Sequence, residues 1–268
     1  MTDSILETQN LRKEFGSLVA VSDVSIRIQR GSLHSIIGPN GAGKTTFFNL
    51  LSGKYRPTRG QVIYKGENIT NMPFHKRSHA GIGRSFQITN VFPQLTVLEN
   101  VRLAAQATSN RAFNFWGSVS NHRDLIERAV HVLELVGLRD SITRQAVVLP
   151  HGDKRKLELA ILLAPDPEVL LLDEPTAGMA SEQVPELMAI IQSVRTHQNK
   201  TVVMVEHNMS VVMGISDKIT VMDQGGKLAE GTPEEVANNQ TVQSVYLGNL
   251  YDEASSKDEV SSKDEAIS

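Results

Sequence analysis

The stretch Gly38-Pro39-Asn40-Gly41-Ala42-Gly43-Lys44-Thr45-Thr46 restricts what this chain can fold into more than any other. It fits the pattern G-x-x-x-x-G-K-[ST] and lies between an apolar run, Leu33 to Ile37, and a helix-like segment, Phe47 to Leu51. A strand that turns through glycines into a helix lets successive main-chain N–H groups point inward, and the helix adds its positive N-terminal end. A lysine in the first helical turn is electrostatically unfavourable unless an anion sits there. The stretch is therefore expected to cradle the phosphates of a nucleotide. Lys44 would reach the β- and γ-phosphates, and the Thr45 hydroxyl would ligate Mg²⁺.

A second chemical feature lies far along the chain. The run Val169-Leu170-Leu171-Leu172 has the continuous apolar character of a strand buried on both faces, and it ends in Asp173-Glu174. Adjacent carboxylates at the end of a buried strand are costly without a cation or hydrogen-bond donors. Magnesium would supply the cation, which makes Asp173 a metal ligand and Glu174 the candidate base for a water. A similar apolar strand, Thr201 to Val205, ends in Glu206-His207, where His207 is placed to reach a γ-phosphate.

The remaining elements follow from periodicity. Ile5 to Ile28 and Gly60 to Ile69 alternate as antiparallel hairpins, with Phe15 as a hairpin or core aromatic on position alone. The basic segment His75-Lys76-Arg77-Ser78-His79 reads as a solvated helix face, and Gly81 to Gln87 as a short strand ending in a loop. From Val97 to Val136 the period becomes 3.6, with Gly137 as a terminator. Between those helices, Thr108 to Asn121 carries Phe113, Phe115 and Trp116. An amphipathic helix through Leu157 to Leu163 stops at Pro165-Asp166-Pro167, and another runs from Glu182 to Thr196. Short strands at Lys218–Met222 and Lys227–Ala229 precede a helix capped by Thr232 with Pro233 in its first turn.

Composition narrows the function classes. No apolar run approaches the roughly 20 residues needed to cross a bilayer, so the chain is not expected to span a membrane by itself. The absence of cysteine excludes disulfides, thiolate metal sites and thiol catalysis, and fits a reducing compartment. Met1-Thr2-Asp3-Ser4 has neither a basic nor an apolar leader segment, so secretion is not expected. The formal charge of −3 is concentrated in the tail, where six acids and two lysines follow from Asp252 and Ser-Ser-Lys-Asp-Glu occurs twice. The rest is nearly neutral and offers no polyanion-binding surface.

Taken in order, these motifs resemble the nucleotide-binding subunits of ABC transporters over about residues 5 to 250. Gly38 to Thr46 resembles their Walker A motif and Val169 to Asp173 their Walker B. Glu174 falls on the catalytic glutamate, Gln87 on the Q-loop glutamine that ligates the metal, His207 on the switch histidine and Phe15 on the aromatic that stacks on adenine. The stretches Arg84-Ser85-Phe86-Gln87, Phe92 to Val97, Glu174 to Met179 and Tyr246-Leu247-Gly248 are similar to the ATPase subunits of branched-chain amino acid importers, with urea or amide systems as close alternatives.

The resemblance implies an α/β fold, a P-loop NTPase core with an antiparallel β subdomain and an inserted α-helical subdomain at about 88–163. It places the cassette at 1–250 and a disordered acidic tail at 251–268. It implies ATP and Mg²⁺ as ligands, with hydrolysis of ATP driving transmembrane permease subunits. A second ATPase subunit would be a paralogue or a copy of this chain. A solute-binding protein would be an indirect partner and nucleic acid none, at the cytoplasmic face of the membrane. Two alternatives remain: a soluble ABC protein acting on ribosomes or DNA, and a nucleotide-gated regulatory subunit with little turnover.

The chain departs from the family at its signature loop, Leu-Ser-Gly-Gly-Gln, which here reads Leu149-Pro150-His151-Gly152-Asp153. Pro150 has neither the serine hydroxyl nor an N–H. Gly152 and the following helix N-terminus remain as donors to the opposite nucleotide, while Asp153 adds negative charge and Ala180 stands where an aspartate is frequent. A weak signature loop that works best opposite a different subunit is one expectation. Sufficiency of the main-chain donors is the other.

Overall fold

The computed structural model describes residues 4–85, 91–107 and 123–245. Strands β1 (Ser4–Phe15), β2 (Leu18–Gln29), β4 (Arg59–Tyr64) and β5 (Glu67–Asn68) form an antiparallel sheet ordered β2-β1-β4-β5. A second sheet has the order β10-β9-β3-β8-β7-β6, built from β3 (Leu33–Ile37), β6 (Ile82–Arg84), β7 (Val169–Asp173), β8 (Thr201–Val205), β9 (Lys218–Asp223) and β10 (Gly226–Gly231). All of its pairings are parallel except β9 with β10.

The helices are α1 (Lys44–Ser52), α2 (Phe74–His79), α3 (Val97–Ala107), α4 (Arg123–Leu135), α5 (His151–Leu163), α6 (Val184–Gln198), α7 (Met209–Ile215) and α8 (Pro233–Ala237). Among the described residues, no helix is long and apolar enough to cross a membrane.

The parallel strands are apolar throughout because both faces are covered. Val169 and Leu171 of β7, with Val203 and Val205 of β8, face Phe47 and Phe48 of α1 and Ile26 and Ile28 of β2. Leu170 and Leu172, with Val202 and Met204, face the other way, into a cluster with α3, α4, α5 and α6. Successive side chains point to opposite faces, so one unbroken run supplies two cores. The parallel register brings the C-terminal ends of β3, β7 and β8 to one edge, with Asp173 opposite Val205. That edge is where an open α/β sheet binds its ligand.

Three local features differ from the sequence expectation. Arg77 of α2 is buried rather than solvated. Its guanidinium donates to the carbonyls of Leu50 and Leu51 at the end of α1 and of Ile69, Thr70 and Met72, between 2.7 and 3.0 Å. Burial lowers its pKa to about 10, which leaves it charged near neutrality. The neighbouring His75, Lys76 and His79 are exposed as expected. Helix α6 begins at Val184, later than Glu182, because Gly178 to Gln183 forms turns. Helix α7, which periodicity did not reveal, is capped by the Asn208 side chain accepting from the Val211 N–H at 3.3 Å. At α8 the expected cap is a full capping box between Thr232 and Glu235.

His34, in the central strand β3, is buried with its Nε2 2.7 Å from the Thr220 hydroxyl of β9. Burial lowers its pKa from 6.5 to about 4. The unfolded chain therefore binds a proton between those values that the native state does not. His34 stabilises fully above pH 6.5, and its contribution is lost as the pH falls toward 4. The effect is on the order of 3 kcal/mol. Denaturant unfolding of the wild type should show stability falling across that window, and His34→Gln should flatten the fall; equal slopes would contradict it.

Candidate functional site: an anion cradle with a carboxylate at its mouth

Two glycines of the loop between β3 and α1 are required by close approach. A Cβ on Gly38 would lie 2.1 Å from the Met222 carbonyl oxygen, and one on Gly43 would lie 2.3 Å from that of Ala20. Both have positive φ, as does Gly41. Nothing lies within 4 Å of a Cβ built on Gly41, so that part of the loop faces open space. Helix α1 starts from Gly43 without a side-chain cap and without an acid in its first turn. Its leading N–H groups are thus left for an anion. Lys44 folds back over the loop, its Nζ donating to the carbonyls of Gly38 (2.6 Å) and Pro39 (2.8 Å). Burial lowers its pKa, and Glu174 and Asp173 oppose that shift.

A cavity of about 520 Å³ opens over this loop. Asn40, Gly41, Ala42, Gly43, Lys44, Thr45 and Thr46 form its floor, and Glu174 and His207 stand on one side. Leu18, Val19 and Ala20 of β2 and Gln224-Gly225 of the β9–β10 turn complete the wall. That turn is tied to the loop by Gly225 N–H to Ala42 O (3.2 Å) and to β2 by Ser22 N–H to Gly225 O (2.8 Å). Phe15 is not among the lining residues. It pairs with Leu18 across the hairpin, its ring edge-on to Tyr55 at 5.6 Å and with the Lys13 ammonium 4.9 Å from its centroid.

The carboxylates occupy different environments. Asp173 is buried, and its Oδ2 accepts from Arg84 Nη2 at 3.1 Å. Arg84 also donates through Nη1 to Asn49 Oδ1 (2.6 Å) and Ser52 Oγ (2.7 Å) of α1. Burial raises the Asp173 pKa, and Arg84 pulls it back in part. Its other oxygen, Oδ1, is buried without a hydrogen-bond partner. A carboxylate oxygen without a donor, near enough to Lys44 to oppose its shift, is the kind of ligand that a hard cation such as Mg²⁺ takes, and Thr45 on the cavity floor is exposed. Among the described residues no three His, Asp or Glu side chains converge as a metal cage. Mg²⁺ needs none, since it keeps waters and shares phosphate oxygens.

Glu174 is partly exposed and has φ +50°, an uncommon conformation for a non-glycine residue. Its Oε1 lies 2.9 Å from His207 Nε2. The structure thus brings the loop at Asn40 to Thr46, Glu174 and His207 together around one cavity, whereas Asp173 is buried and lines a separate small cavity with Ser85 and Leu172. Gln87 lies outside the described residues, as do Phe113, Phe115, Trp116 and the tail 251–268.

Gly152 belongs elsewhere, in the first turn of α5, where a Cβ would come within 2.8 Å of the Gln183 side chain. Pro150 is the N-cap of α5 and provides no capping hydrogen bond. The charge of Asp153 is offset by Lys156 Nζ at 3.4 Å, which also pairs with Glu186 at 2.6 Å.

Sequence reasoning missed the β2 and β9–β10 walls, which only the tertiary fold brings to the loop. It also gave no role to Arg84 or Glu206. Their signal was a charged residue at the end of an apolar strand.

A family model described as ABC transporter matches residues 21–177, and one described as branched-chain amino acid ATP-binding cassette transporter matches residues 227–250. The high-affinity branched-chain amino acid transport ATP-binding protein LivG of Salmonella typhimurium is 40% identical over 254 residues, covering 92% of this chain and 99% of that protein. The corresponding BraF of Pseudomonas aeruginosa is 40% identical over 255 residues with the same coverage. Among solved structures, the ADP conformation of MJ1267, an ATP-binding cassette of an ABC transporter, superposes with a TM-score of 0.80 at 28% identity, over 91% of this chain and 99% of that one. The dimeric bacterial cassette MJ0796 gives 0.72 at 26% identity, over 85% and 99%. With its anion cradle, its paired carboxylates and a family match over more than half its length, the chain belongs to the ATP-binding cassettes of ABC transporters.

Proposed function

We propose that this chain hydrolyses ATP as the energy-converting subunit of an importer for branched-chain or other hydrophobic amino acids. The observation that carries the hydrolytic part is the placement of Glu174, hydrogen-bonded to His207, on the wall of a cavity whose floor is the phosphate loop. The transport part is supported by the likeness to LivG and BraF, whose names give that substrate class.

In this reading the N–H groups of the loop and of α1, with Lys44, balance the charge of the triphosphate. Thr45 and Asp173 Oδ1 would hold Mg²⁺, with Gln87 as a further ligand, and the ion would neutralise developing charge on the phosphate oxygens. Glu174 accepts a proton from the attacking water. His207, hydrogen-bonded to it, holds the carboxylate toward the cavity. Phe15 and Leu18, at the hairpin tip, would meet the base. Gly152 would act on the nucleotide of a second ATPase subunit. Pro150 offers that nucleotide no donor, which favours a paralogous partner with an intact loop, whereas the pairing of Asp153 with Lys156 removes part of the charge objection to a second copy.

Permease subunits, supplied by a solute-binding protein, would hold the chain at the cytoplasmic face of the membrane. Phe92, Val147 and Val148 are exposed, and Val147 N–H bonds Pro93 O at 2.9 Å, so the three form one apolar surface suited to such docking.

Two outcomes are expected. Glu174→Gln should lower steady-state ATP turnover by at least about 100-fold while retaining ATP. A wild type that binds ATP with negligible turnover, unchanged in Glu174→Gln, would favour the nucleotide-gated regulator, and substantial turnover unchanged in the variant would remove Glu174 as the base. Val148→Asp should leave the turnover of the isolated chain unchanged and abolish its co-purification with the cognate permease; undiminished co-purification would move the docking surface elsewhere.

A further inference from the structure

Glu206 is a buried carboxylate at the end of β8 whose charge the mechanism above does not use. Its Oε1 accepts from the main-chain N–H of Thr176 (3.1 Å) and from the Thr176 hydroxyl. Its Oε2 accepts from the main-chain N–H groups of His207 (2.9 Å) and Asn208 (3.2 Å). One side chain therefore joins two loops, the one that leaves β7 with Glu174 and the one that leaves β8 with His207.

The connections close a ring. Glu174 leads through Pro175 to Thr176, Thr176 is held by Glu206, Glu206 is followed by His207, and His207 Nε2 returns to Glu174 Oε1 at 2.9 Å. The Glu174 N–H also bonds Val205 O at 2.9 Å, and its φ of +50° departs from the ordinary allowed regions. A strained residue persists only where its surroundings over-determine it, and this ring is what surrounds Glu174.

Burying a carboxylate is costly, and here both of its oxygens are matched to main-chain N–H groups, one from Thr176 and two from His207 and Asn208. A glutamine has nearly the same shape, but in either amide orientation its NH₂ would face at least one main-chain N–H, that of Thr176 or those of His207 and Asn208. The chemistry therefore requires the carboxylate at one loop or the other.

We propose that Glu206 is a positioning residue for ATP hydrolysis: by clamping the Thr176 loop to the His207 loop it sets the Glu174–His207 hydrogen bond in hydrolytic register. This rests on the hydrolase reading given above. Glu206 lies outside the phosphate loop, so nucleotide affinity should be spared. A displacement on the order of 1 Å at the base costs about 100-fold in rate.

The test compares Glu206→Gln, Thr176→Val and Thr176→Ser in the full chain. Glu206→Gln should lower kcat by about 100-fold, with KM and the calorimetric Kd for ATP·Mg²⁺ within about twofold of wild type. Thr176→Val, which loses only the hydroxyl contact, should lower kcat by about 10-fold, and Thr176→Ser should restore it. An unchanged kcat in Glu206→Gln, or a parallel loss of kcat and ATP affinity, would overturn the inference; should Glu206→Gln not fold, the Val and Ser pair decides by the same criteria.

If the wild type binds ATP·Mg²⁺ without turnover, the hydrolase reading fails first. The clamp is then read from the imidazole ¹⁵N resonances of His207. They should move in Glu206→Gln as they do in Glu174→Gln, and unmoved resonances would refute the clamp.

Discussion

The tight glycine-rich loop at the end of β3, whose main-chain N–H groups would turn toward a bound phosphate, is the constraint on which the surrounding structure depends. To point inward those groups need a tight loop, and the tight loop leaves no space for side chains where Gly38 and Gly43 meet the carbonyls of Met222 and Ala20. The β9–β10 turn and strand β2 can then approach closely enough to become walls of the cavity. The antiparallel sheet thus packs on the core and also shapes the cavity proposed for the nucleotide. Charge follows the same logic. Lys44 lies over two loop carbonyls, and Asp173 is half satisfied by Arg84 with one oxygen bare. Each is an incomplete interaction that ATP·Mg²⁺ would complete.

Buried ions do the mechanical linking in this molecule. Arg77 gathers carbonyls from the end of α1 and from the segment 69–72, Arg84 ties α1 to the end of β7, and Glu206 ties the two loops beyond β7 and β8. Apolar packing on both faces of the parallel sheet, α1 and the antiparallel sheet on one and α3 to α6 on the other, holds these layers together, but it is not directional. The buried ions are directional, and they converge on the elements whose positions matter for chemistry. Such groups are costly unless fully partnered, which is why each is surrounded by several hydrogen bonds.

What could be read from the chain was whatever depends on local spacing. The glycine-rich loop, the apolar strands ending in Asp173-Glu174 and Glu206-His207, the hairpins and the Thr232 cap all announce themselves within a few residues. What could not be read depends on distant partners. Arg77 looks solvated because its acceptors come from two other segments, the end of α1 and residues 69–72, and Gln224-Gly225 looks like any hairpin turn until the sheet order brings it beside β2. The tertiary fold also adds Leu18 to the cavity wall, across the hairpin from Phe15, which packs on Tyr55 and Lys13. Helix α7 escaped notice because its seven residues are too few to establish a period.

The most direct measurement is calorimetric titration of ATP·Mg²⁺ into the wild type and into the double variant Lys44→Ala with Asp173→Asn. If an ammonium, a ring of main-chain donors and a bare carboxylate oxygen together hold the nucleotide and its metal, affinity should fall by about 100-fold or more. Undiminished binding in the double variant would contradict that placement of the site.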